Sequence, residues 1–394
     1  MQPLLSAEQQ IELVALAQRL AGRCAERATQ HDRDASFPFD DFADLHREGY
    51  LALTIPSPFG GRGISLYEFC LLQEQLAKGS GATALGANMH LYNLGGGLHL
   101  FRESLRQRVV DDVLRTGAIV ASSISEPNAS VGSPHVRARK VAGGYRVSGR
   151  KYFCTLAPIL RYFLFNARLE GFAESGKSGT VTLAAERGTA GMEIIETWDA
   201  MGMRATGSHD IQFTEAFIAD ECLIGEEGAG VEGGLQSLPW YALGIASVYT
   251  GIASAAFDFV VNYVKQRTLA PLPASIASLP GIQFTVAEMS IQLEAARALI
   301  YKTASELARG ADFGEQLLPK VTGAQYFATH AALDVVTKAM QAMGGPSLFR
   351  RYPIERLYRD VRAGTLHPFA HAWLLEMIGK RALGIPLDVQ PRWL

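Results

Sequence analysis

QAMGGPSLFRRYPIERLYRD, Gln341 to Asp360, closes the last of three long, glycine-poor amphipathic stretches, and Val361-Arg362 and then His367-Pro368 follow it. Taken alone, its Gly344-Gly345 pair is a helix C-cap, because glycine enters left-handed backbone conformations without a steric penalty. Working back, TGAQYFATHAALDVVTKAMQAM (322–343), AEMSIQLEAARALIYKTASELA (287–308) and SVYTGIASAAFDFVVNYVKQR (247–267) all read as amphipathic helices. Before about Gly233 the pattern changes. AIVASSI, GGYRVSG, YFLFNARL, TVTLAAE, MEIIETW and DIQFTEAF, between Ala118 and Phe217, are short apolar runs broken by glycines, which read as strands and hairpins. Earlier still, Ser6-x-x-Gln9 and Ser65-x-x-Glu68 are capping boxes. The first precedes Ile11, Leu13, Val14, Leu16, Ala17 and Leu20 on one helical face; the second precedes a stripe of Phe69, Leu72 and Leu76. This segregated order predicts an α+β protein, not alternating βαβ units. Its parts are an all-α domain over 1–117, a β domain over 118–232 and a helical domain over 233–394.

Composition narrows the function classes. With 394 residues, 48% of them hydrophobic, the chain can bury a large core, and a net charge of -2 gives no overall attraction to nucleic acid or anionic membrane. Cys24, Cys70, Cys154 and Cys222 stand too far apart for C-x-x-C pairs, so neither zinc nor a disulfide framework is signalled and a reducing cytoplasm fits. MQPLLSAEQQ has no charged and apolar leader pattern, and no run approaches the ~18 apolar residues of a membrane span. Ala270 to Gly281, APLPASIASLPG, is the best internal loop. Gly228-Ala229-Gly230-Val231-Glu232-Gly233 fits the dinucleotide fingerprint, but Glu226 and Glu227 precede it where a buried strand is needed. A mobile turn between the strands and the last helices is the better reading.

The chain resembles the acyl-CoA dehydrogenases on several segments in family order. Leu51 to Gly63, LALTIPSPFGGRG, is similar to an N-terminal proline and G-G-x-G loop. Ser125-Glu126-Pro127 matches a T-E-P segment that lies along the flavin in the family. GGYRVSGRKYFCTLA resembles a hairpin G-G-Y-x-L-N-G-x-K-x-W-I-T, with Lys151, Phe153 and Thr155 on its lysine, aromatic and threonine positions. MGMRATGSHDIQF, Gln266-Arg267 with GIQFTVAEM, and the Q-x-x-G-G turn with YPIERLYRD complete the series. The resemblance implies a helical N-terminal domain, a middle β-barrel or sandwich and a C-terminal four-helix bundle. It also implies FAD, with Ser125 and Thr155 giving hydroxyls and Phe153 a wall to the isoalloxazine. Arg267, Gln341, Gly344 and Gly345 would meet the pyrophosphate and adenosine end from a neighbouring subunit of a homodimer or homotetramer, and Arg267 would form charge-assisted bonds there. The partners implied are an acyl-CoA or other acyl thioester and an electron-transfer flavoprotein.

Departures bear on the reaction. Thioester dehydrogenation needs a base for the α-proton while hydride leaves for the flavin. The family glutamate stands nine residues after Arg359, which here is Pro368; an alternative position on an earlier helix is Tyr241. Neither has a carboxylate. Glu376, eight residues beyond Pro368, would lie ~12 Å further along a helix. Ala270-Pro271 replaces a usual Phe-Gly, and Ala242 a usual arginine. His367 is then the candidate catalytic residue, as a base or as a group holding an oxygenated flavin or substrate. His371 would share a helical face with it, but no third ligand at suitable spacing supports a metal. His90 joins Tyr241 and Pro368 as a pocket candidate, with helix packing as its plainer reading. Three activities stay open: thioester α,β-dehydrogenation with an unusual base, monooxygenation fed by a flavin reductase, and a non-catalytic flavin-bound subunit.

Overall fold

Ser6 accepts the Gln9 N–H while the Gln9 side chain returns to the Ser6 N–H, and Ser65 with Glu68 forms the second box. These boxes start two helices in a computed structural model that describes residues 4–130, 132–174, 176–271, 273–368 and 371–386, with only the backbone for His371. The first layer holds α1 (Ala7–Asp34), α2 (Phe39–Arg47), α3 (Leu66–Gly79), α4 (Gly81–Gly97) and α5 (Glu103–Thr116). The strands are β1 (Ile119–Ser123), β2 (Arg137–Val141), β3 (Gly144–Cys154), β4 (Leu160–Leu169), β5 (Thr180–Glu186), β6 (Met192–Ile195), β7 (His209–Ala219) and β8 (Leu223–Ile224). Then come α6 (Gly230–Gln236), α7 (Leu238–Gln266), α8 (Pro280–Ala308), α9 (Leu317–Met343), α10 (Ile354–Arg362) and α11 (His371–Leu383). The α+β order expected from the sequence is present.

The sheet runs β6-β7-β3-β2-β4-β5-β8, and β1 pairs with β4 in parallel. β1 takes Leu160 to Phe165 of β4 while β2 takes Arg168 and Leu169, so both share one edge of β4. That sharing directs the chain leaving β1 toward β3. The Gly228 to Gly233 segment is not the expected free turn: Gly228 turns at φ +84°, and from Gly230 the chain is α6. It follows the two-residue β8, which is antiparallel to β5, so no βαβ unit frames it.

α7 is long and apolar enough to cross a bilayer, yet 72% of its most apolar window is buried. It is a core helix. α3, α4, α8 and α9 pack around it, and α10 and α11 lie against α9. Gly251 makes the α3 contact possible, since a Cβ there would stand 2.3 Å from the Glu74 carbonyl oxygen. Burying Val248 and Ile252 contributes roughly 1.5–3 kcal/mol for each side chain. Glu74 bonds to Arg297 at 2.8 and 2.9 Å and to the Tyr301 hydroxyl, which fastens α3 to α8.

Candidate active site

A bulge between Lys151 and Cys154 interrupts the β3–β7 ladder and re-aims the side chains there. Phe153 sits in it at φ +55°, a rare conformation for a bulky residue that costs about 1–3 kcal/mol. The residue is 58% exposed, and its ring stands edge-on to Trp198 at 6.1 Å. Ser125 lies beside it, because its carbonyl accepts the Tyr152 N–H at 2.9 Å while Ser123 Oγ donates to the Tyr152 carbonyl at 2.6 Å. Glu126 is pinned by the buried Lys151 Nζ at 2.5 Å, and its other oxygen accepts the Val136 N–H at 3.0 Å. Asn166 Oδ1 accepts from the same lysine at 2.7 Å. Thr155 Oγ1 is 2.9 Å from Ser208 Oγ, which is 2.7 Å from Thr206 Oγ1, and Thr206 donates to the Met203 carbonyl. The structure thus groups Ser125, Phe153 and Thr155. A strained, exposed aromatic beside hydroxyls fits a planar ring system with polar atoms along its edge, as a flavin has.

His367 is placed by a second close approach. Gly364 sits where a Cβ would meet the Tyr249 ring at 2.7 Å, so the turn over Ala363–Leu366 can press on α7. His367 follows with extended backbone, and its Nε2 lies 2.7 Å from the Tyr249 hydroxyl. Although the residue is only half-buried, the imidazole is desolvated enough to hold its pKa down to about 4. The extended backbone at 367 also removes the expected shared helical face with His371, whose side chain lies outside the described residues. Among the described residues no group of three metal-ligating side chains forms. Pro368 presents its carbonyl to the Tyr241 hydroxyl at 3.0 Å and to Gln325 Nε2 at 3.4 Å. Tyr241 is edge-on to Tyr92 at 5.4 Å, and the Tyr92 hydroxyl is 2.5 Å from Ser122 Oγ. Burial raises all three phenols; Asp360 adds to the rise at Tyr249. Glu376 is engaged with Lys380 at 2.9 Å.

Arg267 donates to the Met343 carbonyl at 2.9 Å and to the Tyr263 hydroxyl at 2.7 Å, which sets it against the Gln341 to Gly345 turn. Gly344 there has φ +72°, as its cap position requires. This cluster and the Phe153 cluster share no hydrogen bond or ring contact among the described residues.

His90 corrects its pocket assignment. It is fully buried, with Nε2 2.9 Å from the Leu51 carbonyl and Nδ1 accepting the Val120 N–H at 3.0 Å. Both nitrogens are used in joining α4 to β1 and to the turn after α2. Burial lowers its pKa to about 4 against ~6.5 when free, so the unfolded chain takes up the extra proton in that window. Stability from His90 is therefore full above pH ~6.5 and falls by ~3 kcal/mol as the pH drops to about 4. Urea unfolding of wild type and His90→Gln between those pH values checks this: the variant should show a shallower slope, and equal slopes would contradict it.

Sequence reasoning passed over Tyr249, Tyr92 and Trp198. Tyr249 stands eight residues after Tyr241 on α7, a spacing that puts both on one helical face and was available as a signal.

Comparison with known proteins assigns the family. Models of the acyl-CoA dehydrogenase N-terminal, middle and C-terminal domains match residues 6–116, 121–216 and 243–372. YdbM of Bacillus subtilis (strain 168), provisionally named an acyl-CoA dehydrogenase, is 34% identical over 92% of this chain and 94% of its own length. The amino sugar nitrososynthase RubN8 of Streptomyces rubradiris is 28% identical over 96% of this chain and 90% of its own. The structure of butyryl-CoA dehydrogenase from Megasphaera elsdenii superposes with a TM-score of 0.89 at 24% identity, covering 97% of this chain and all of that one. With its three domains in order, the chain belongs to the acyl-CoA dehydrogenase superfamily of flavoproteins.

Proposed function

We propose that this chain is an FAD-dependent monooxygenase built on the acyl-CoA dehydrogenase fold. The observation that carries the reading is the chemistry at Pro368 and Tyr241. Neither has a carboxylate to take the proton beside a thioester carbonyl, and His367 Nε2, the nitrogen that could take it instead, is already engaged with the Tyr249 hydroxyl at 2.7 Å. A neutral imidazole paired with a phenol suits the holding of a partly charged oxygen better. The likeness to a nitrososynthase supports chemistry other than thioester dehydrogenation on this fold.

Phe153 and Trp198 would wall the isoalloxazine, and Ser125 and Thr155 would bond its polar edge. Arg267, Gln341, Gly344 and Gly345 would take the pyrophosphate and adenosine end. Bound there, reduced flavin supplies the two electrons, received from a separate NAD(P)H-dependent flavin reductase, with which dioxygen gives one oxygen atom to substrate and one to water. Phe284, Ile291 and Leu299 leave an exposed apolar row on one face of α8, which supports a homodimer or homotetramer. The likeness to YdbM favours a second reading, α,β-dehydrogenation of an acyl thioester with His367 as base and an electron-transfer flavoprotein as acceptor.

With FAD loaded and a flavin reductase present, oxygen-dependent NAD(P)H consumption should exceed that of the reductase alone. Consumption equal to the reductase control would count against oxygenation, and a protein that takes up no FAD would remove both readings.

A further inference from the structure

The Tyr249–His367 pair decides which face of its chemistry the histidine offers. Tyr249 is fully buried on α7, and its hydroxyl has one partner among the described residues, His367 Nε2 at 2.7 Å. A neutral imidazole carries one proton, on Nδ1 or on Nε2. If Nε2 held it, the ring would donate to the phenol oxygen, and the phenol proton would be left buried without an acceptor. If Nδ1 holds it, the phenol donates to Nε2 and the remaining donor is the Nδ1–H of a half-buried side chain. Leaving the buried group unsatisfied is the costlier choice. Burial, with Asp360 and Tyr241 adding to it, disfavours ionisation of Tyr249, so the phenol keeps its proton to donate.

We propose that Tyr249 is a positioning residue that fixes His367 as its Nδ1–H form, so that the imidazole offers a hydrogen-bond donor and no free basic nitrogen. Gly364 is part of the device, because a side chain there would push the 363–366 turn off the Tyr249 ring. The ligand this recognises is an oxygen bearing partial or full negative charge. Discrimination follows: a reaction that requires His367 to take a proton first requires the Tyr249 hydrogen bond to break. The role rests on the reading of His367 as the working side chain given above, whereas the tautomer itself does not depend on which reaction is run.

Solid-state 15N NMR of the flavin-loaded chain labelled at histidine tests it, with the His367 signals assigned as those lost in His367→Gln. At pH 7 we expect a bare, imine-type Nε2 and a protonated Nδ1, by ~10-fold or more over the other tautomer. Tyr249→Phe keeps the ring on which Gly364 packs and should give a mixture of both forms. A protonated Nε2 in the wild type would overturn the proposal, as would a wild-type pattern persisting in Tyr249→Phe. The wild-type spectrum decides alone if the phenylalanine variant does not fold. Because nothing turns over in the sample, failure of the oxygenase reading leaves this result unchanged, and the reverse holds too.

Discussion

Lys151→Met lowers the unfolding free energy by about 3–5 kcal/mol and weakens flavin binding with it. Lys151 and Glu126 are both buried, their charges face each other at 2.5 Å, and Asn166 completes the lysine's set. Burial alone pushes the lysine's pKa down, and the Glu126 charge opposes that shift. Removing the ammonium leaves Glu126 as an uncompensated buried carboxylate, a change far costlier than loss of a surface pair. Since Glu126 follows Ser125 directly, the loop that would edge the flavin loosens at the same step. Urea unfolding with a parallel FAD titration measures both effects. Lys151→Met with Glu126→Leu should recover most of the stability, because replacing a buried pair together removes the unpaired charge. A single variant losing under about 1 kcal/mol, or a double variant as unstable as the single, would contradict the account.

His367→Ala slows the reaction of anaerobically reduced, flavin-loaded protein with dioxygen by ~10² or more, the scale of losing one placed hydrogen-bond donor. Reduction of dioxygen puts negative charge on oxygen, where a fixed N–H is worth most. Flavin affinity should stay within about threefold, since Ser125, Phe153 and Thr155 are held by the sheet and not by His367. His367→Gln keeps an N–H and should restore part of the rate; a basic role predicts no such recovery. Stopped-flow absorbance in the flavin band reads the rates, and an alanine variant as fast as wild type would remove His367 from the mechanism.

Local signals carried much of the fold. Ser6 and Ser65 start helices where their boxes stand, and the glycine-bounded runs from Ala118 to Phe217 are strands. β2 was not legible. Its sequence, RARKV, buries only Ala138 and leaves Arg137, Arg139 and Lys140 exposed, and its place in the sheet comes from β3 and two residues of β4. Burial pattern cannot reveal a strand whose faces are mostly wet. The site divides similarly. Phe153 was found through the hairpin it ends, whereas its φ of +55° arises from the bulge and from no propensity. Tyr249 shares a helical face with Tyr241, but its pairing was not legible, because its partner is 118 residues away. His90 was a pocket candidate only through the resemblance, beside the plainer reading of helix packing. Its ring nitrogens instead meet backbone groups 39 and 30 residues distant, contacts that only the folded chain creates.

Anaerobic titration of the flavin-loaded protein with saturated acyl-CoAs of short, medium and long chain tests the central claim most directly. With Pro368 and Tyr241 lacking a carboxylate and His367 bonded to Tyr249, the flavin band should stay oxidised throughout. Pro368→Glu serves as the control in the same cuvette, since a restored carboxylate should permit bleaching if the pocket admits the thioester. Bleaching of the wild-type protein, at about one acyl-CoA per flavin and within the time of mixing, would contradict the oxygenase account and establish thioester dehydrogenation.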